Sequence, residues 1–80
     1  MPQIKTMDSL KIKETGKVNK ISGNDSLRRR LLDMGITPGV TIEVMKVAPL
    51  GDPVDIKVRG YHLSLRKEEA SIIYVDVDND

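Results

Sequence analysis

The stretch APLGDPVDIKVRGYHLSLR, residues 48–66, decides the fold because it places a turn at each end of one strand. Proline at the second and glycine at the fourth position of residues 48–51 favour a type I turn. Apolar and charged residues then alternate over residues 54–59, which is typical of a half-buried strand. Gly60 in the first central position of a two-residue loop predicts a type II′ hairpin, with Tyr61 as the second loop residue.

This loop implies a register that the residue pattern supports. Ile56 would face Leu65 on an apolar face of the hairpin. On the other face Asp55 would meet Arg66, which is a favourable opposite-charge pair. A slip of one residue would destroy both patterns, so the register is expected to be well specified.

Working outward toward the N-terminus, the segment NDSLRRRLLDMG predicts a helix over about residues 26–34. It opens with three good N-cap residue types. Its apolar residues fall at i, i+4 and i+7, which is one helix face: Leu27, Leu31 and Met34. Gly35 stands where a left-handed C′ glycine belongs, and Ile36 would then contact Leu31 across the helix end.

Five further elements complete the prediction. A short strand lies between Gly16 and Gly23, although its alternation slips once. Another strand starts at Val40, and a change of apolar parity predicts a bulge near Met45. The segment RKEEA predicts a single helical turn, and SIIYVDV a final strand. Residues 8–11 are expected to form one helical turn that packs Leu10 inward.

The predicted architecture is a single mainly β domain over residues 1–80. About five short, bent strands favour a small closed barrel, with one α-helix between strands 1 and 2 and short helical turns near the N-terminus and before the last strand. Residues 1–9 are expected to be loosely held, because chain termini usually are. The acidic segment over residues 76–80 is expected to be a frayed tail.

Composition narrows the function classes. The 80 residues include no cysteine, so no disulfide or thiolate metal site can form. The net charge of +1 does not favour tight nucleic-acid binding. No apolar run approaches the roughly 20 residues of a membrane span. The N-terminal residues are too polar for a signal peptide, so we interpret the chain as cytoplasmic.

The motifs together resemble the FeoA family. The resemblance covers about residues 16–75 and includes a helix ending in a Leu-x-x-Met-Gly-Ile step, a Pro-Gly turn, a Pro-Leu-Gly-Asp-Pro turn and a strand ending in Arg-Gly. An apolar Leu-x-Leu-Arg strand and a Glu-Ala pair follow. These motifs occupy residues 31–36, 38–39, 49–53, 59–60, 63–66 and 69–70.

The resemblance implies an SH3-like β-barrel and a partner. FeoA proteins are small cytosolic accessories of bacterial ferrous iron uptake, and the implied partner is FeoB, a membrane transporter with a cytosolic GTP-binding domain. The implied function is therefore non-enzymatic regulation through protein–protein contact. The open alternatives are a metal-sensing domain like the C-terminal domains of iron-dependent repressors and a weak nucleic-acid-binding barrel.

Six residues are candidates for the partner contact. Leu50 is a large aliphatic residue at a turn tip between two prolines, and the helix carries a basic run. The set is Arg28, Arg29, Pro49, Leu50, Asp52 and Tyr61. Stiffening of a hairpin and a solvated helix face are the structural alternatives for the turn and the arginines.

Catalytic, cofactor and metal sites have no candidate in the sequence. The one histidine, His62, has no cysteine and no clustered carboxylates near it in sequence, so it makes a poor transition-metal site. The serines lack a neighbouring histidine, and no glycine-rich phosphate loop is present. No cofactor is expected, and iron would be only the ion that the partner transports.

Overall fold

The computed structural model describes residues 2–78, which form one antiparallel sheet of six strands with two α-helices and a short 3₁₀ helix. The strands are β1 Pro2–Thr6, β2 Thr15–Ile21, β3 Thr41–Val47, β4 Val54–Val58, β5 Tyr61–Leu65 and β6 Ile73–Asp78. The helices are the 3₁₀ helix Met7–Ser9, α1 Asp25–Asp33 and α2 Lys67–Ala70. The prediction of a mainly β fold with one main helix is confirmed.

The sheet is open rather than closed. Its strand order is β1-β6-β2-β3-β4-β5, so β1 and β5 are the outer strands of the described sheet. Closure of a barrel requires every strand to have two neighbours. Here β1 occupies the outer edge of β6, in the register Gln3 to Val77 and Lys5 to Val75. The structure therefore corrects the predicted closed barrel of about five strands to an open sheet of six.

Both ends of the described part of the chain belong to the sheet. Residues 1–9 are predicted to be loosely held, but residues 2–9 form β1 over Pro2–Thr6 and the 3₁₀ helix, in which Met7 is fully buried. Residue 1 lies outside the described residues. Leu10 is buried as predicted. The predicted acidic tail begins inside β6, because Asp76 pairs with Ile4 of β1. The remainder of that tail, residues 79–80, lies outside the described residues.

Local chemistry sets both ends of α1. The side chain of Asn24 accepts a hydrogen bond from the Leu27 amide at 2.8 Å, which caps the N-terminus. At the other end Gly35 has φ +96°, and the Ile36 amide donates to the Leu31 carbonyl at 3.1 Å. This is the predicted Schellman motif, and both Leu31 and Ile36 are fully buried.

The β4–β5 turn differs from its prediction by one residue. Arg59 and Gly60 are the central residues, with φ +51° and +84°, so the turn is type I′ rather than type II′. Tyr61 leaves the loop and begins β5, where it faces Val58. Its hydroxyl donates a hydrogen bond to the backbone carbonyl of Met34, and this contact holds Tyr61 in the strand.

The register changes accordingly, but the faces do not. Ile56 faces Leu63 rather than Leu65, and Asp55 faces Ser64, so the predicted pairing of Asp55 with an arginine is wrong. Each partner moves by two positions, which preserves the side of the sheet on which every residue lies. The apolar face predicted for the hairpin is therefore retained.

Two bulges explain the broken alternation in the sequence. In β3 the register shifts between Val44 and Lys46, so Met45 is the bulged residue, as predicted. In β2 the register with β6 shifts between Val18 and Lys20. This second bulge turns both Asn19 and Lys20 outward and returns Ile21 to the core, which accounts for the single slip in that strand.

The core is entirely aliphatic apart from its methionine. It lies against the buried face of the sheet and is covered by α1, α2 and the 3₁₀ helix. Its fully buried side chains are Met7, Leu31, Ile36, Ile42, Val44, Ile56, Leu65, Ala70, Ile73 and Val75. Burial of these side chains stabilises the domain, because each of them except Ala70 contributes roughly 1.5–3 kcal/mol when removed from water.

Candidate partner-binding surface

The β3–β4 turn presents a single aliphatic side chain to solvent. The Gly51 amide donates to the Ala48 carbonyl at 2.7 Å, which closes the predicted turn around Pro49 and Leu50. A second bond joins the Ala48 amide to the Pro53 carbonyl at 3.1 Å. Leu50 is 92% exposed, the largest value among the exposed large hydrophobic residues of the described chain. The turn is thus a hydrogen-bonded support for an apolar tip.

Asp52 ties this turn to the rest of the molecule. Its Oδ1 accepts a hydrogen bond from the backbone amide of Lys67 at 3.0 Å, at the first residue of α2. A carboxylate at this position satisfies one of the unpaired amides of a helix N-terminus. Asp52 therefore fixes the orientation of the turn, and its carboxylate already has a partner within the chain.

Tyr61 lies at the opposite end of β4 from the turn. The hydroxyl contacts the end of α1 through Met34, and the ring lies beside Gly35, where an added Cβ would collide with the hydroxyl. The residue remains 40% exposed. Tyr61 thus joins β5 to α1 and leaves part of its ring accessible.

The three arginines of α1 have different environments. Arg28 lies 4.0 Å from the carboxylate of Asp25 on the exposed side of the helix, and Arg29 is exposed. Arg30 lies 3.8 Å from Glu69, whose side chain is only 5% exposed. Glu69 also accepts the backbone amide of Arg66 at 2.8 Å. Arg30 therefore joins α1 to α2, whereas Arg28 and Arg29 face solvent.

The six candidate residues do not form one patch. The turn with Pro49 and Leu50 is separated from Tyr61 by the five residues of β4, about 16 Å at the rise of a strand. Arg28 and Arg29 lie on the exposed side of α1. The structure thus brings Tyr61 to the end of α1 and keeps the turn apart from both.

An open groove that the sequence did not predict lies next to Arg28. It has a volume of about 300 Å³ and is formed by three consecutive segments of the chain, the end of β2, α1 and the turn before β3. Its lining consists of Lys20, Ile21, Arg28, Leu32 and Pro38. The bulge in β2 and the exposed Leu32 indicate this groove only once the fold is known, because no pattern in the sequence predicts that α1 packs beside β2.

Charged groups elsewhere are dispersed or locally paired. Within residues 2–78, no three histidine, aspartate or glutamate side chains come together as metal ligands. His62 is exposed and faces Lys57 across the β4–β5 ladder. In the turn before β2, the backbone amide of Lys11 donates a hydrogen bond to the Glu14 carboxylate at 2.9 Å. The ammonium of Lys5 lies 3.5 Å from the same carboxylate. The hydrogen bond from Lys11, together with the charge of Lys5, lowers the pKa of Glu14.

None of the helices in the described residues is long and apolar enough to cross a membrane.

Nucleophilic catalysis depends on a nucleophile and a base within hydrogen-bond reach of each other. The side-chain hydrogen bonds of the serines go instead to Thr6, Ile72, Asn24 and Glu68. Three of these bonds join residues two or three positions apart in turns and caps, and the bond from Ser22 to Ile72 joins the end of β2 to the start of β6.

Comparison with known proteins gives a consistent result. Residues 5–77 match the model of the FeoA domain family. A fusion of Fe(2+) transport protein A with the Fe(2+) transporter FeoB, from Porphyromonas gingivalis, is 41% identical over 58 residues, which is 72% of this chain. The chain spans only 7% of that relative's length.

Solved structures that share the fold include the following two. A zinc complex of FeoA from Stenotrophomonas maltophilia, an SH3 domain protein, has 26% identity and a TM-score of 0.78 over 90% of this chain and 89% of that one. A manganese-dependent transcriptional repressor has a TM-score of 0.87 over 98% of this chain and 44% of its own, at 18% identity. The predicted SH3-like fold is thereby confirmed, and the repressor shows the fold alone.

Proposed function

Because the chain belongs to the FeoA family, we propose that it is a non-enzymatic accessory of bacterial ferrous iron uptake that binds the cytosolic side of a FeoB-type membrane transporter. The observation that carries the proposal is the relative in which FeoA-type and FeoB-type sequences form one polypeptide. Covalent linkage raises the effective concentration of one module at the other. Such a fusion is advantageous when the two modules touch.

The β3–β4 turn is the proposed point of direct contact. The backbone of this turn is held by two hydrogen bonds, so it loses little conformational entropy on binding, and that entropy is one of the main costs of association. Pro49 and Leu50 would touch the transporter. Asp52 would act by holding the turn against α2, and Tyr61 by holding β5 against α1, so these two residues position the surface.

Arg28 and Arg29 form a second proposed contact, on the exposed side of α1. Exposed arginines that face solvent in the isolated domain are suited to acidic groups on a partner, because guanidinium and carboxylate groups pair in a bidentate geometry. Their contribution would fall with added salt, whereas a contact through Leu50 would not. The salt dependence of the complex therefore separates the two contributions.

Co-purification with the full-length transporter tests the proposal. Tagged FeoB-type transporter in detergent is mixed with wild-type chain, with Leu50→Ser, and with Ile12→Ser as a matched control. Ile12 is another aliphatic residue, 53% exposed, on a different turn. We expect wild type and Ile12→Ser to be captured equally and Leu50→Ser to bind about tenfold more weakly, the loss typical of one buried aliphatic side chain.

The two possible failures have different meanings. Absence of capture of the wild-type chain would refute the proposed partner. Capture of Leu50→Ser at the wild-type level would remove the turn from the interface and leave the partner in place. Circular dichroism of each variant provides the folding control, since Leu50 makes almost no contact with the core.

A further inference from the structure

The groove beside Arg28 is the feature of the molecule that the preceding proposal leaves without a role. It lies between the outer side of α1, the end of β2 and the turn that precedes β3, and we call it the α1–β2 groove. Its five lining residues are those given above: Lys20, Ile21, Arg28, Leu32 and Pro38. Its volume of about 300 Å³ is at the lower limit for small-molecule sites, so it suits one or two side chains.

The floor of the α1–β2 groove is apolar. Leu32 is 37% exposed and is the one exposed large hydrophobic residue of α1. Ile21 closes the groove from the core side and Pro38 from the following turn. Leu32 lies one helical turn after Arg28, so both residues share the face of α1 that borders the groove.

The rim of the groove is basic. The guanidinium of Arg28 lies 4.0 Å from the carboxylate of Asp25, whose side chain is fully exposed. Such exposed ion pairs contribute little to stability. Lys20 places its ammonium 5.2 Å from the centroid of the Tyr74 ring. A carboxylate from a partner could therefore displace Asp25 at small cost and approach Lys20 from solvent.

We infer that the α1–β2 groove binds an acidic amphipathic segment of a protein partner, with an aliphatic side chain on Leu32 and flanking carboxylates on Arg28 and Lys20. The charge of the rim selects for acidic groups, and the floor selects for an apolar group between them. Where the partner is the transporter, the inference rests on the proposed function. A peptide fits better than a fatty acid, because an open groove of this volume would leave a long acyl chain in water.

A titration followed by NMR tests the groove without any transporter. The probe is a six-residue peptide with two leucines between pairs of glutamates, added to the full-length ¹⁵N-labelled chain. Two control peptides replace the leucines by serines or the glutamates by lysines. We expect saturable shifts at Ile21, Leu32 and their neighbours with the probe and none of comparable size with either control.

Variants of the chain make the test specific. Leu32→Gln is expected to weaken probe binding about tenfold, because it removes the apolar contact. Arg28→Glu is expected to weaken it about fivefold or more, the effect of losing an exposed ion pair and gaining a repulsion. Ile12→Gln and Lys11→Glu are the matched controls, since they change the turn at the opposite end of β2.

Capture by the full-length transporter then identifies the partner. Leu32→Gln and Arg28→Glu should lower capture, and the two control variants should not. Probe shifts that persist unchanged in both groove variants would overturn the inference, as would saturable binding of laurate in the groove with none of the peptide. If wild-type chain is not captured, the proposed function fails, while the peptide titration still decides whether the groove binds acidic segments.

Discussion

The end of α1 and the β3–β4 turn are two glycine-containing turns of similar length with opposite relations to the core. At the end of α1, Leu31 and Ile36 are fully buried and contact each other through the Schellman motif. In the β3–β4 turn the corresponding large aliphatic residue, Leu50, is 92% exposed. One glycine-containing turn thus packs its aliphatic residues into the core, and the other exposes its aliphatic residue to solvent.

The surroundings of the two glycines make the same distinction. Both have a positive φ, +96° at Gly35 and +84° at Gly51. A side chain at Gly35 would collide with the hydroxyl of Tyr61, whereas one at Gly51 would have no atom within 4 Å. The space beside Gly35 is therefore filled by a residue from a distant strand, whereas the space beside Gly51 is open.

Substitution of the two leucines would show the largest difference. Leu31→Ala should lower the free energy of unfolding by about 3–4 kcal/mol, because it leaves a cavity in the core. Leu50→Ala should change it by less than about 0.5 kcal/mol, as is usual for surface sites. Urea unfolding followed by far-UV circular dichroism measures both. A loss of similar size in Leu50→Ala would mean that the turn tip packs against the protein.

Substitution of the two glycines would show a smaller difference. Gly51→Ala should cost about 1–2 kcal/mol, the price of a left-handed conformation for a residue with a Cβ. Gly35→Ala should cost about 3 kcal/mol, since overpacking against Tyr61 adds to that conformational cost. The same denaturation experiment applies, with Tyr61→Phe in the Gly35→Ala background as a further variant.

That double variant separates conformation from collision. If the hydroxyl causes the overpacking, Gly35→Ala should be less harmful in the Tyr61→Phe background than in the wild type. Equal costs in both backgrounds would attribute the whole effect to the backbone at Gly35. The Tyr61→Phe single variant corrects for the lost hydrogen bond to Met34.

A third turn, over residues 11–14, should give the smallest effect and depends on charge. The pKa of Glu14 in the folded protein lies below its ordinary value of 4.5. Glu14 therefore stabilises the fold above about pH 4.5, and this stabilisation is lost as the pH falls through the lowered pKa. Glu14→Gln should cost about 0.5 kcal/mol at pH 7. The difference from wild type should shrink in unfolding experiments toward pH 3; a constant difference would contradict the assignment to charge.

Features that depend on local chemistry were predictable from the sequence. The N-cap region and the C′ glycine of α1, the turn around Pro49, the bulge at Met45 and the helical turn before β6 all follow from residue types within a few positions of each other. The apolar face of the β4–β5 hairpin was also predictable. Its apolar residues alternate with polar ones, and a register shift of two positions leaves each residue on the same side of the sheet.

Features that depend on distant partners were not predictable. The sequence of β1, PQIKT, has no apolar alternation, and its Ile4 is 61% exposed in the fold. The strand is defined instead by its pairing with β6 at the other end of the chain. The one-residue error at Arg59 has the same origin, since the bond from Tyr61 to Met34 is tertiary. The α1–β2 groove is formed by neighbouring segments, but it depends on how α1 packs beside β2, which the pattern of residues 20–38 does not predict.

The position of the two tyrosines gives the protein built-in optical reporters. The chain has no tryptophan and no phenylalanine, so Tyr61 and Tyr74 account for all of its aromatic absorption and emission. Tyr61 is bonded to the end of α1, and Tyr74 lies beneath the ammonium of Lys20 at the rim of the α1–β2 groove. With Tyr74→Leu and Tyr61→Phe variants, fluorescence of the unlabelled protein can follow docking of the helix end and occupation of the groove as separate signals.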